Sequence, residues 1–274
     1  MYNIISADDI HIIMCSYKRV CNISAIIKSL DNQSVSSRIH LHILNNNKLE
    51  TDNLNNIIHA NTHTNTSNGI KKTLVHYNNE NNVFERFIYA KELRKMGISY
   101  VIYIDDDMVY ESTWVEKMYN MRKPKHFITW YVKLFIHKSR YINYNSNNNN
   151  KQPMLINYSK DSVIKYDDVR HNKNTKHMYG NYGGPGGSII DTSIFDNDDF
   201  FKLPHPDLKL MDDIWISYYL IGKLNWTIKR SLLCPTLLWN DTTTANALYD
   251  KIAGKKNIWF LLLVNNTPCD VAII

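Results

Sequence analysis

Apolar positions in the first half of the chain fall into short unbroken runs separated by helical spacings, the pattern of a parallel sheet laid down strand by helix by strand. Ile10-His-Ile-Ile-Met-Cys-Ser16 is apolar at most positions and predicts a first strand, with Tyr17-Lys18-Arg19 as the turn leaving it. Ile23, Ile26, Ile27 and Leu30 then recur at helical spacing. Arg38-Ile-His-Leu-His-Ile-Leu44 predicts a second strand that ends at Asn45-Asn46-Asn47. From Lys48 to Ile70 the chain is polar and Asn-rich, and Leu54, Ile57 and Ile58 support only a weak helix and a loop. Lys72-Thr-Leu-Val-His76 fits a short third strand, and Val83, Phe84, Phe87, Ile88, Leu93 and Met96 mark one face of a helix stopped by Gly97. Strand, helix, strand, helix, strand in this order implies parallel pairing with right-handed crossovers.

The next run, Tyr100-Val-Ile-Tyr-Ile-Asp105-Asp106-Asp107-Met108, is the stretch around which the rest is organised. Uncharged residues fit a strand buried on both faces, and the three acids then sit at its carboxyl end, where open α/β sheets bind ligands. Alternation along a strand sends Asp105 and Asp107 one way and Asp106 the other, giving two carboxylates on one side for a hard divalent cation. A solvated turn after a core strand is the plainer account of the same acids.

Farther on, Trp114, Val115, Met118 and Met121 predict a helix and His126 to Phe135 one strand. The polar, irregular segment 139–179 is expected to be a mobile or variable region, a lid or acceptor loop. Gly183-Gly-Pro-Gly-Gly187 leads into Ser188-Ile-Ile190, and its glycines permit a loop that folds closely against a ligand. Met211-Asp212-Asp213 heads the run Ile214 to Ile221, apolar nearly all round, which predicts a buried helix ending at Gly222. Asp212 and Asp213 fall in its first turn, where capping alone would account for an acid. A last strand is expected from Leu232 to Trp239.

Composition narrows the class. With 44% hydrophobic and 21% charged residues over 274 positions, the chain reads as one globular α/β domain. No apolar run nears the roughly 20 residues of a membrane span, and Phe260 to Val264 is far too short. The start, Met1 to Asp9, lacks a basic segment followed by an apolar core, so no cleaved secretory signal is expected. Cys15, Cys21, Cys234 and Cys269 have neither zinc spacing nor a Cys-x-x-Cys pair, and reduced thiols in a cytoplasmic protein are the simplest account. A net charge of +6 from dispersed Lys and Arg argues against a nucleic-acid partner and would help hold an anionic nucleotide. The Asn, Ile and Lys bias is similar to coding by AT-rich genomes, including those of large DNA viruses. Neither Gly-x-Gly-x-x-Gly nor a Walker loop follows the first strand, which disfavours dinucleotide oxidoreductases and P-loop kinases.

Together these pieces resemble the nucleotide-sugar glycosyltransferases of the GT-A fold, most closely their inverting family 2, from about Ile10 to about Trp239. Ile12-Ile-Met-Cys-Ser-Tyr17-Lys-Arg19 is similar to the family's opening Pro-Thr-Tyr-Asn-Arg segment, departing from it at Cys15, Ser16 and Lys18. The resemblance implies Ser16, Tyr17 and Arg19 near the nucleotide and Asn46 on the base. It implies Arg86 near the diphosphate, Asp105 on the ribose or metal waters with Asp106 beside it, and Asp107 as a direct metal ligand. Gly186 and Gly187 would approach the donor, and Trp215 is a candidate stacking wall. Asp212-Asp213 is similar to the catalytic acid pair, with Asp213 as the base. Many relatives add a histidine ligand after the catalytic helix. This chain has none beyond His205, and Asn240 or Asp241 would stand there instead.

The expectation is therefore a nucleotide-binding half over about 10–135 and an acceptor and catalytic half over about 136–274. Mn2+ or Mg2+ is the implied cofactor, a UDP- or GDP-linked sugar the implied donor, and a glycan or glycoprotein the implied acceptor. Alternatives are a metal-dependent nucleotidyltransferase and a catalytically inactive binding protein of the same fold. A haloacid-dehalogenase-type phosphatase also uses Asp-x-Asp after a strand, but its nucleophile follows the opening strand, which here ends in Cys-Ser-Tyr.

Overall fold

The computed structural model describes residues 9–61, 69–76, 82–137, 163–166 and 179–238. The first half follows the predicted order. β1 (Ile10–Ser16), α1 (Ile23–Asp31), β2 (Ile39–Asn45), α2 (Thr51–Ala60), β3 (Lys71–His76), α3 (Glu85–Lys95) and β4 (Tyr100–Ile104) alternate strand with helix. The pairs β1–β2, β2–β3 and β1–β4 are all parallel. Alternation decides which core each residue joins: Ile13, Cys15 and Tyr103 pack on one face of the sheet, and Ile12, Met14, Ile102 and Ile104 on the other. Each such fully buried aliphatic side chain stabilises by roughly 1.5–3 kcal/mol. On α1, Ile23, Ile26, Ile27 and Leu30 are all fully buried, as their spacing predicts. On α3, Phe87 and Leu93 are buried, but Ile88 and Met96 face water at 36% and 54% exposure. The apolar face of α3 is narrower than its residues suggest because Phe84, Phe87, Phe195 and Phe200 already fill the space against it. Gly97 ends the helix at φ 91, a conformation that disfavours a Cβ.

Beyond the acids come β5 (Met108–Val109), α4 (Trp114–Asn120), β6 (His126–Thr129), β7 (Val132–His137), β8 (Val163–Tyr166), β9 (Tyr179–Gly180), β10 (Tyr182–Gly183) and β11 (Ser188–Asp191). The strand expected over His126 to Phe135 is thus two strands. Thr129 Oγ1 bonds the Gly184 carbonyl at 2.6 Å and Trp130 Nε1 the Gly186 carbonyl at 2.8 Å, so the chain bends at Trp130-Tyr131 and β7 leaves for another sheet. Helix α5 (Asp212–Tyr218) runs on as a π-helical turn through Lys223, past the predicted stop at Gly222. β12 (Thr227–Arg230) and β13 (Thr236–Leu237) follow, and β13 is much shorter than the expected Leu232–Trp239 strand.

Among the described residues the central sheet has the order β3-β2-β1-β4-β11-β6-β12-β9, with β11 antiparallel to both β4 and β6. β10-β7-β8 and β13-β5 form two smaller sheets. No described helix is long and apolar enough to cross a membrane. The 139–179 segment lies outside the described residues apart from β8 and Tyr179, as do Trp239, Asn240, Asp241 and Cys269.

Candidate active site

Strand β4 ends at Ile104, one residue before the acids, yet their burial still alternates, with Asp106 buried and Asp105 and Asp107 half-buried. Asp105 to Asp107 lie in a turn whose carbonyls are tied on both sides: Asn22 Nδ2 donates to the Asp106 carbonyl at 2.9 Å and the Leu238 amide to the Asp107 carbonyl at 2.7 Å. The ion pairs of these acids divide another way. Asp106 and Asp107 both reach Arg19, whose Nη2 and Nη1 sit 2.5 Å from Asp106 Oδ1 and Asp107 Oδ2. Asp105 turns instead to Arg86, which holds its Oδ1 through Nη1 and Nη2 at 3.1 Å each.

Arg86 reaches across the sheet edge. Its Nε lies 3.3 Å from Asp212 Oδ2, so one buried guanidinium joins the acidic turn to the first turn of α5. The glycine loop closes over the same carboxylate: a Cβ on Gly186 would fall 1.9 Å from Asp105 Oδ2, so only glycine fits there. Gly187, at φ 68, donates its amide to the Tyr103 carbonyl at 2.8 Å and stacks its backbone on Trp130, where a Cβ would lie 2.7 Å from the ring. Asp213 accepts a short hydrogen bond from the Tyr182 hydroxyl and another, at 2.8 Å, from the Ile214 amide. Ser217, one turn on, bonds the Gly183 amide at 3.0 Å and the Asp213 carbonyl at 2.6 Å, which fixes α5 against the loop.

Ser16 and Asn46 lie side by side at the ends of β1 and β2, the Asn46 amide donating to the Ser16 carbonyl at 2.9 Å. Asn46 Nδ2 is held by the Asn82 carbonyl at 2.8 Å. Both side chains are 1% exposed, yet Ser16 Oγ and Asn46 Oδ1 find no hydrogen-bond partner among the described residues. Buried polar atoms left without partners are uncommon and call for an explanation such as a ligand. Tyr17 is half-buried in the bend between Ser16 and Arg19, with Lys18 Nζ 5.4 Å from its ring centroid.

The electrostatics follow from burial. Burial pushes the Asp106 carboxyl up to about 7, against the pull of Arg19. Burial also raises the Asp107 carboxyl, the negative charge of Asp105 adds to the effect, and Arg19 opposes both. Asp107 Oδ1 is buried with no hydrogen-bond partner among the described residues. Two carboxylates that repel each other, one with an orphaned oxygen, are an oxygen-donor set suited to a hard divalent ion. The residues therefore fit Mn2+ or Mg2+, with Arg19 already neutralising part of the charge.

The structure thus joins Arg19, Asp105, Asp106, Asp107, Arg86, Gly186 and Asp212 by a continuous chain of contacts, with Asp213, Ser16 and Asn46 on adjoining backbone. Trp215 is elsewhere: it is 4% exposed and its Nε1 donates to the Phe200 carbonyl at 2.9 Å inside an aromatic core, so it offers no stacking wall. Sequence reading missed Tyr182, Trp130, Asn82 and Asn22. Tyr182 and Trp130 adjoin the glycine loop in space, but no spacing in the sequence singles them out, and the two asparagines are lost among many.

No family model and no curated protein matches this chain. Among solved structures it is similar to the mannosyltransferase PcManGT from Pyrobaculum calidifontis in complex with GDP-Man and Mn2+, with a TM-score of 0.56 at 10% identity over 94% of this chain. The chain spans 65% of the length of that protein. Weaker likenesses are to TarS of S. aureus, TM-score 0.40, 12% identity, covering 77% of this chain and 55% of that one. A protein described as a glucose-1-phosphate thymidylyltransferase from Bacillus anthracis, in complex with a sucrose, gives 0.43 and 10% identity over 90% of this chain and 95% of that one. At such identity the first likeness is one of fold, and the fold is the GT-A α/β fold that the sequence resemblance implied.

Proposed function

We propose that this chain is a metal-dependent, inverting glycosyltransferase that moves a sugar from a nucleoside diphosphate to a hydroxyl of a glycan or glycoprotein. One observation carries the reading. Arg86 ties Asp105 to Asp212 at the carboxyl edge of the sheet, with Gly186 packed on Asp105, so acid turn, glycine loop and acid-headed helix converge on one place. The fold shared with a mannosyltransferase bound to GDP-Man and Mn2+ supports it.

In this reading Ser16 Oγ and Asn46 Oδ1, buried without partners among the described residues, bind the nucleoside, with Tyr17 beside them. Asp107 and Asp105 hold the divalent ion. When bound, that ion neutralises the diphosphate leaving group as negative charge grows on it. Arg19 and Arg86 supply further positive charge toward the phosphates. Asp106, buried behind the turn and bonded to Arg19, keeps that arginine in position. Gly186 and Gly187 let the backbone approach the donor. Asp213 accepts the proton of the acceptor hydroxyl during attack from the face opposite the leaving group, which inverts the anomeric centre. Tyr182 orients its carboxylate.

The test is incubation with GDP- and UDP-linked sugars with and without Mn2+, reading released nucleoside diphosphate and, by calorimetry, nucleotide affinity. Manganese-dependent binding is expected in the wild type and its loss in Asp107→Ala. Equal affinity and equal metal response in that variant would remove these acids from the site.

A further inference from the structure

At the opposite end of the same sheet, three histidines interrupt strands that are otherwise Ile, Leu and Met. His11 on β1 is the register partner of His40 on β2, and His42 lies two residues farther on, so all three project from one face. Their rings cluster, with centroids 4.3 Å apart for His40 and His42, 5.2 Å for His11 and His42 and 5.4 Å for His11 and His40. His11 Nδ1 and His42 Nε2 face each other at 2.9 Å, and one nitrogen from each of the three rings lies within 4.8 Å of the others.

The outward nitrogens are held. Tyr89 Oη on α3 is 2.9 Å from His42 Nδ1, and Thr73 Oγ1 on β3 is 2.8 Å from His40 Nε2. Protons on those two nitrogens leave His42 Nε2 and His40 Nδ1 with lone pairs, the arrangement in which metal-ligating histidines are oriented by a partner behind the ring. His11 Nε2 is buried and finds no partner among the described residues. It is free to take the proton when Nδ1 becomes a ligand. Asp9, the carboxylate that acts on His11 and His40, is itself paired with Lys71 at 3.1 Å, whose charge opposes its pull toward an imidazolium.

We propose that His11, His40 and His42 bind one transition-metal ion of the borderline class, Zn2+ above all. Three imidazoles would ligate it, with a fourth position left to water. Tetrahedral zinc at about 2.0–2.1 Å from nitrogen spaces its ligands roughly 3.3 Å apart, near the 2.9 Å between His11 and His42 and within reach of a small ring rotation from the 4.8 Å that bounds the others. Imidazole nitrogen suits zinc, nickel and copper, whereas the carboxylates at the carboxyl edge suit manganese and magnesium. Burial keeps the three rings neutral near pH 7, the form that ligates. His11 to Ser16 is about 16 Å along β1, so the two positions are separate, and this site stands whether or not the chain transfers sugar.

Chelator-stripped full-length protein is titrated with Zn2+ in a calorimeter and, in parallel, with Co2+ while the visible spectrum is recorded. The wild type should take up one zinc with a raised melting temperature and show the intense bands of four-coordinate cobalt. His40→Gln, at a half-exposed position, should bind zinc at least about tenfold more weakly. Tyr89→Phe, which removes only the hydroxyl behind His42, should lose roughly 10- to 100-fold. Asp107→Ala should keep full zinc affinity. Unchanged zinc binding in both His40→Gln and Tyr89→Phe, the absence of the cobalt bands, or loss of zinc in Asp107→Ala instead would each overturn the proposal.

Discussion

Two arginines serve the same acidic turn under different conditions. Arg86, its side chain 5% exposed, joins Asp105 to Asp212 under the ring of Tyr103. Arg19, 20% exposed, spans Asp106 and Asp107 at the rim. An ion pair taken fully out of water recovers little net stability over an apolar substitute, but removing one partner leaves a buried charge without compensation. A pair near the surface is exchanged with water at little net change. The inner cluster therefore acts as a fixed joint between the sheet and α5, and the outer one as a cationic contact that other cations can replace. With Asp212 held in the joint, Asp213, which accepts from the Tyr182 hydroxyl and from the Ile214 amide, is the acid proposed as the base.

That division predicts its largest effect at Asp213. Asp213→Asn keeps the shape and the amide bond but removes the basic oxygen, so sugar transfer should fall by about 10²- to 10⁴-fold while donor binding survives. If NMR shows the product with the donor's own anomeric configuration, or the variant transfers at the wild-type rate, the base assignment and inversion fail together. The next effect separates the arginines. Arg86→Met should lower unfolding free energy in urea by about 3–5 kcal/mol, because the buried Asp212 loses its cation and Asp105, partly exposed, loses its partner as well. Arg19→Met should cost less, about 1–2 kcal/mol, because the buried Asp106 it leaves behind, already raised to about 7, can take a proton and Asp107 stays partly exposed. Equal losses would erase the distinction.

Much of the inner architecture was legible in the sequence, and the reason is periodicity. The strands β1, β2 and β4 announce themselves because a parallel sheet buried on both faces needs unbroken apolar runs. Asp212 and Asp213 were legible as a pair, but not which of them is tied to Arg86, since that depends on two side chains 126 positions apart meeting across the sheet edge. Asp106 is buried and Asp105 and Asp107 are half-buried, as alternation implies, but which arginine each acid pairs with was not legible, because the strand stops at Ile104 and the turn beyond it sets those pairings. The break at Trp130-Tyr131 was invisible for a similar reason: its cause is hydrogen bonding to Gly184 and Gly186, more than fifty residues away. Trp215 looked available beside the acids, and only packing against Phe200 and Tyr219 shows that it is core.

The amino edge of the sheet offers a contrast with the acid clusters, because there burial works against positive charge. Burial and the charge of His40 lower the His11 pKa from 6.5 to about 4, and His42 and His40 are also lowered, burial first. The unfolded chain binds protons below pH 6.5 that the folded chain refuses until about pH 4. Stability is therefore lost as pH falls through that window. Each unit of lowering corresponds to about 1.4 kcal/mol, so the full effect at His11 is up to about 3 kcal/mol. Asp106, raised to about 7, titrates with the opposite slope in the same range. The comparison is therefore made between wild type and His11→Gln, in which the Asp106 contribution cancels. Melting temperatures from pH 7 to pH 4.5 should fall less steeply in the variant, and parallel curves would show that His11 is not a neutral buried base.

The smallest effect concerns Arg19 and metal. Its guanidinium sits on Asp107 Oδ2 and on Asp106, so a divalent ion approaching Asp107 must share that carboxylate with a cation already present. Arg19→Ala removes the competitor, the buried Asp106 carboxyl it leaves without a cation being already raised to about 7 and able to take a proton, and it also removes positive charge that the diphosphate would meet. The two consequences have opposite signs. Mn2+ alone should bind the variant up to about fivefold more tightly, the range set by a partly exposed ion pair worth at most about 1 kcal/mol. A nucleoside diphosphate in saturating Mn2+ should bind more weakly by a similar factor. Calorimetry in both orders of addition separates the two. If manganese binds Arg19→Ala more weakly than the wild type, Arg19 helps to assemble the carboxylates instead of competing for them, and the outer cluster is as structural as the inner.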